Sequence, residues 1–185
     1  MTDTSDFRNG MVLNHKGALW TIVEFQHVKP GKGAAFVRTK LKQVETGKVV
    51  EETFRAGEKV EEVRLERRDY QFLYADDEFM TFMNLETYEQ ISLPKDRLGD
   101  LPLYVKESDT VSMLLRDGQP ITVEPPLTVE LKVTQTDPGV RGDTAQGGSK
   151  PATLETGLVV QVPLFIEEGE VVKVDTRTGK YLGRV

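Results

Sequence analysis

The sequence predicts an all-β protein assembled from small barrels, and three observations carry that prediction. Apolar and polar residues alternate with period two rather than 3.6 along most of the chain. Turn signals built on Gly, Pro and Asp recur about every ten residues, the spacing of barrels and sandwiches. Between them lie runs rich in β-branched and aromatic residues, the kind that fit a pleated, half-buried surface.

The elements follow in chain order. "LWTIVEF" (19–25) and "AAFVRTKLKQV" (34–44) read as a hairpin with a longer loop, since "VKPGKG" between them holds Pro30, Gly31 and Gly33. Proline fixes its own φ and glycine admits angles other residues avoid, so this stretch turns. "ETGK" (45–48) is the next turn and "VVEETF" the next strand; "AGEK" precedes "VEEVRLERRDYQFLY", and "ADDE" (75–78) joins that to "FMTFMN". Tyr70, Phe72 and Tyr74 alternate there and are expected on one buried face; Trp20 and Phe25 are also expected in a core. "PKDRLGD" (94–100) predicts one short helix. "RDGQ" (116–119) links "VSMLL" to "ITVE", and "TRTGK" (176–180) precedes a last short strand.

Charge divides the chain. Residues 1–63 carry 10 basic and 9 acidic side chains, residues 64–127 carry 7 and 13, and residues 128–185 carry 7 and 8. The change near 63/64, and Pro125-Pro126 as a stiff linker before a fresh strand, predict three modules: 1–63, 64–127 and 128–185. Each is near the lower size limit for independent folding, so neighbours are expected to pack on one another.

The net charge of −6 argues against a general nucleic-acid coat. Its distribution says more. Residues 29–42 hold five basic residues (Lys29, Lys32, Arg38, Lys40, Lys42) and no acidic one. In a strand, Phe36, Arg38, Lys40 and Lys42 share one face, with Val37, Thr39 and Leu41 on the other. A basic arm on an acidic body predicts one oriented contact with phosphate, which positions a nucleic acid rather than reading its sequence. The alternative is an ordinary solvated hairpin tip. The second candidate is the Gly-rich loop "DPGVRGDTAQGGSKPA" (137–152), where Gly142, Asp143 and Thr144 offer small polar groups to RNA; its alternative is a mobile surface loop.

Other chemistry finds little support. A P-loop needs Gly at position 26, which is Gln26, and Ser or Thr at 33, which is Gly33. In "GDTAQGGSK" Gly148 takes the lysine slot, and a dinucleotide fingerprint fails at Phe36. His15 and His27 are the only histidines and cysteine is absent, so a nucleophile–base pair has almost nothing to draw on. No metal-ligand spacing appears, and no cofactor or metal is expected. The first ten residues lack a signal peptide's basic and apolar regions, and no apolar run approaches a membrane span, so a cytoplasmic protein is expected.

Together these residues resemble the bacterial translation elongation factor P family along essentially the whole chain. The stretches that carry the resemblance are "SDFRNG", "VEFQHVKPGKGAAFVRTKLK", "TFRAGEKVEE", "FMNLETYEQ", "VELKVTQTDPGVRGDTAQGGSKPATLETGLVVQVPLFIEEGE" and "VDTRTGKYLGRV". Asn84, where the family leads one to expect an acidic residue, is a small departure. The resemblance implies three β-barrels, an SH3-like (KOW-type) module followed by two OB-folds, in an L-shaped, tRNA-like arrangement. It implies a non-enzymatic translation factor that binds both ribosomal subunits between the peptidyl-tRNA and exit sites and relieves stalling at consecutive prolines. Lys32 then lies beside the CCA end of peptidyl-tRNA (prolyl-tRNA at the stall), supported by Pro30, Gly31 and Gly33, and is a modification site for a lysine-modifying enzyme. Lys29, Arg38, Lys40 and Lys42 would contact tRNA or rRNA phosphate. Gly142, Asp143 and Thr144 match a loop near the exit-site codon on the small subunit. A monomer is expected. The competing readings are a generic RNA-binding barrel protein, which would bind free RNA, and a small β-barrel hydrolase, which the shortage of histidine disfavours.

Overall fold

The fold is that of a computed structural model, which describes residues 1–139 and 148–185. The all-β prediction holds: three sheets account for nearly all regular structure. No helix among the described residues is long and apolar enough to cross a membrane.

The first sheet has six strands: β1 (Thr2–Asp3), β2 (Val12–His15), β3 (Ala18–Val28), β4 (Phe36–Gln43), β5 (Val49–Arg55) and β6 (Lys59–Glu62), in the order β1-β6-β2-β3-β4-β5. Its inward side chains follow the predicted alternation: Val37, Thr39 and Leu41 of β4 are buried. They join Phe7, Met11, Leu13, Ile22, Phe54 and Val60 in one core, with Trp20 and Phe25 packed against it. Phe7 meets Phe54 edge-on at 5.4 Å. Fully burying one such ring contributes about 2–3 kcal/mol. Thr39 is buried without penalty because its hydroxyl donates to the Glu52 carbonyl at 2.7 Å.

The second sheet contains β7 (Glu66–Ala75), β8 (Phe79–Asn84), β9 (Gln90–Pro94), β10 (Thr110–Arg116) and β11 (Gln119–Glu124), in the order β11-β10-β7-β8-β9. Tyr70 and Phe72 are buried as expected, but Tyr74 is 51% exposed. The register shifts between Phe72 and Tyr74, and such a bulge turns every later side chain over. The helix expected at 94–100 is instead two 3₁₀ turns, Lys95–Arg97 and Leu101–Leu103. Asn84 closes the β8–β9 turn: its Oδ1 accepts the Glu86 N–H (2.8 Å) and the Thr87 N–H (3.2 Å).

The third sheet contains β12 (Thr128–Thr136), β13 (Ser149–Leu154), β14 (Val159–Pro163), β15 (Val171–Asp175) and β16 (Lys180–Arg184), in the order β14-β13-β12-β15-β16. Strict alternation in β12 buries Val129, Leu131 and Val133 against Val160, Val162, Ile166, Val172 and Val174. Leu103 and Tyr104 also pack on this core. The chain divides into two compact units, Met1–Arg67 with Leu114–Thr122, and Arg68–Met113 with Val123–Val185.

Candidate nucleic-acid interface

The β3–β4 ladder pairs Val28 with Phe36, His27 with Val37, Gln26 with Arg38 and Glu24 with Lys40. Those numbers are symmetric about 32, so Lys32 is the apex of the loop 29–35. Gly33 sits at φ +99, which a side chain would strain; a Cβ on Gly31 would meet nothing within 4 Å. Pro30 closes the only nearby contact, its Cγ lying 4.0 Å from the position of a Cβ on Gly33. Lys29 and Lys32 are exposed, and neither has an ion-pair partner among the described residues. The arrangement presents an exposed ammonium with no carboxylate paired to it among the described residues.

Below the loop, the outer face of the sheet stacks side chains in rows across β3, β4 and β5. Nearest the loop are Val28, Phe36 and Arg55; next come Gln26, Arg38 and Thr53; third are Glu24, Lys40 and Glu51; Lys42 then faces Thr21 and Val49. The stripe read along β4 is therefore not uniformly basic in its surroundings. Lys40 lies between two carboxylates, and its Nζ is 3.7 Å from Glu24 Oε2. Both groups are well exposed, so the pair contributes at most about 1 kcal/mol, but with Glu51 on the other side the row holds one positive and two negative groups, which disfavours a phosphate there. Arg38 and Arg55 have no ion-pair partner among the described residues. Glu58, three residues after Arg55, accepts the Arg55 backbone N–H at 3.2 Å. The Arg38 guanidinium carbon lies 6.0 Å from the centre of the Phe36 ring, the outer limit of a cation–π contact. A depression of about 600 Å³ has Arg38 in its walls together with Glu24, Gln26, Lys40 and Glu51.

Sequence reasoning missed Arg55, Glu24 and Glu51. The signal existed: folding the chain symmetrically about the turn at 45/46 sets Lys40 opposite Glu51 and Phe36 opposite Arg55. Reading along one strand cannot find neighbours that only strand pairing creates.

Gly142, Asp143 and Thr144 lie outside the described residues. The stems that carry them are described. A Cβ on Gly139 would lie 2.4 Å from the Leu164 carbonyl oxygen, so that position admits only glycine. Lys150 is 7% exposed, and its ammonium donates to the Asp137 carbonyl. The Thr136 N–H donates to Glu168 Oε1 at 3.2 Å.

The histidines do not form a catalytic pair. His15 Nε2 is 3.7 Å from Glu52 Oε1 and makes no hydrogen bond, and His27 rests against Phe25 at 5.7 Å. Among the described residues no cluster of three His, Asp or Glu could hold a metal.

With that geometry in hand, comparison with known proteins is specific. Residues 3–60 match the family profile described as the elongation factor P KOW-like domain. Residues 65–123 match the elongation factor P OB domain, and 129–184 the elongation factor P C-terminal domain. A protein of Agathobacter rectalis named elongation factor P is 56% identical over 185 residues, covering 100% of both chains. Its namesake in Symbiobacterium thermophilum is 57% identical over 184 residues, again covering 100% of both. The solved structure of a eukaryotic-type translation initiation factor 5A from Methanococcus jannaschii shares 22% identity, covering 66% of this chain and 92% of that one, with a TM-score of 0.49.

Proposed function

Since the chain belongs to the elongation factor P family, and so is a translation factor and not an enzyme, we propose that it binds the ribosome between the peptidyl-tRNA and exit sites and speeds peptide-bond formation at consecutive prolines. The observation that carries this reading is Lys32, exposed at the apex of its loop with no carboxylate paired to it among the described residues. An ammonium on a long stem, supported by Pro30, Gly31 and Gly33, can approach a backbone rich in phosphate without first breaking an ion pair.

The physics of the rescue follows. Proline's ring hinders its nitrogen and restricts φ, so a nascent Pro-Pro end sits badly for attack. Holding the CCA end of peptidyl-tRNA in reactive geometry removes part of the entropic barrier. Lys32 steadies that end through its ammonium and any group a lysine-modifying enzyme adds; it is neither base nor nucleophile. Lys29, Arg38, Lys40 and Lys42 contact tRNA or rRNA phosphate, Arg38 more than Lys40 because of Glu24 and Glu51. Gly142, Asp143 and Thr144 act near the exit-site codon on the small subunit. The working unit is a cytoplasmic monomer of three modules, bounded near 63/64 and 127/128.

The test is Pro-Pro-Pro synthesis in a reconstituted translation system, with a control message lacking consecutive prolines. Faster Pro-Pro synthesis with an unchanged control is expected. No acceleration by protein from the native source, in which any Lys32 modification is present, would overturn the reading.

A further inference from the structure

We infer that the end of the first sheet nearest Lys32 is a binding site for one unpaired RNA nucleotide, with its base stacked on Phe36 and its phosphate held between Arg38 and Arg55. The inference rests on the proposed ribosomal role and adds the chemical class of the ligand and a residue, Arg55, that the β4 stripe does not contain.

Three observations meet there. First, the register places Arg55 directly across from Phe36, and Arg38 two residues along the same face from it. Same-face residues on one strand are about 7 Å apart and neighbouring strands about 5 Å. One ring and two guanidinium groups therefore fall within a patch the size of a nucleotide. Second, Arg38 and Arg55 have no ion-pair partner among the described residues and stand next to the loop that carries Lys29 and Lys32, whereas Lys42, also unpaired, lies beyond the acidic row. The sign of the surroundings reverses at the next row, where Glu24 and Glu51 flank Lys40. A polyanion following the β4 stripe would meet two carboxylates there. It is favoured most at the two rows nearest the loop, those of Phe36 and Arg38, with Lys40 and Lys42 left as weaker contacts. Third, Phe36 is only partly buried, although its strand neighbours Val37, Thr39 and Leu41 are fully so. It forms no part of the first core. A partly exposed ring beside guanidinium groups is what unpaired bases stack on. A paired stem would engage the arginines through phosphate and leave the ring idle.

The experiment is equilibrium binding of the full chain to ribosomes across a salt series, with and without tRNA in the peptidyl site. Wild type is compared with Phe36→Leu, Phe36→Trp, Arg55→Gln and Lys40→Gln, and each variant is first checked for wild-type thermal unfolding. Phe36→Leu is expected to weaken binding by about 5- to 150-fold, the range of one base–aromatic stack, with no change in salt slope. Phe36→Trp should restore binding, because a larger ring stacks and a merely structural Phe36 would not accept it. Arg55→Gln should lower the salt slope by about one and Lys40→Gln by clearly less. A loss seen only with tRNA present assigns the base to tRNA, and one seen on both assigns it to ribosomal RNA; either supports the site. Phe36→Leu binding as wild type does, or Phe36→Trp failing with Phe36→Leu, overturns the nucleotide site alone. Wild type failing to bind ribosomes overturns the ribosomal reading with it.

Discussion

The two loops singled out in the sequence are anchored in opposite ways. Both join adjacent antiparallel strands, β3 to β4 and β12 to β13. Around Lys32 almost nothing touches the backbone: a Cβ on Gly31 would find open space, and one on Gly33 only the Pro30 ring at 4.0 Å. At the base of residues 140–147 the chain is clamped. Gly139 is pressed on the Leu164 carbonyl, the buried Lys150 ammonium holds the Asp137 carbonyl, and Glu168 takes the Thr136 N–H. The same residue types serve opposite ends. Gly31 supplies freedom, whereas Gly139 supplies absence of volume. Lys32 has no ion-pair partner among the described residues, whereas Lys150 is a structural crosslink. In the first loop the chain spends nothing on fixing the side chain; in the second it fixes the point from which the loop departs.

The sharpest way to break this contrast is to add volume at both glycines. Gly139→Val should destabilise the chain by about 1–3 kcal/mol, because a backbone oxygen cannot yield as a side chain can. Gly31→Ala should stay within about 0.5 kcal/mol. Urea unfolding monitored by circular dichroism gives both values, and equal losses would erase the distinction.

The lysines come next. Lys150→Met keeps the buried stem but leaves the Asp137 carbonyl without its donor, so a loss of about 1–2 kcal/mol is expected. Faster amide hydrogen exchange at residues 148–150 should accompany it. Lys32→Met should change neither stability nor exchange measurably.

The smallest expected effect is in acid. Two backbone N–H groups of the turn and the Arg177 side chain, the Arg177 N–H first, hold the Asp175 carboxylate below its usual range. A lowered folded-state value means the contribution is present above the unfolded value of about 3.9 and is lost as pH falls through the folded one. The turn at 176–179 should therefore loosen below about pH 4, and Asp175→Asn should remove that dependence. The loop 29–35 contains no carboxylate and should show no such transition. Backbone chemical shifts followed from pH 6 to pH 2 separate the two.

How much of this was legible beforehand depends on whether a feature is local. The all-β class, the turns and the inward set Val37, Thr39 and Leu41 follow from period two and from turn residues, which are properties of short stretches. Tyr74 was misplaced because a bulge reverses the faces, and no residue at 72–74 announces one. Lys40 looked like an equal member of a basic stripe because Glu24 and Glu51 become its neighbours only through register. The need for glycine at 139 was hidden for the same reason: Leu164 is 25 positions away in the chain. Of the candidate site, the apex lysine and its turn were readable, whereas the charge balance around them was not.

The central claim is that Lys32 positions the peptidyl-tRNA end rather than anchoring the protein. Quench-flow measurement of Pro-Pro bond formation, as a function of protein concentration, tests it most directly when wild type is compared with Lys32→Ala. The account predicts that the rate at saturation falls at least about tenfold, as expected when orientation is lost, while the half-saturating concentration stays within about threefold of wild type. An unchanged rate at saturation with a raised half-saturating concentration would contradict it, making Lys32 one more phosphate contact.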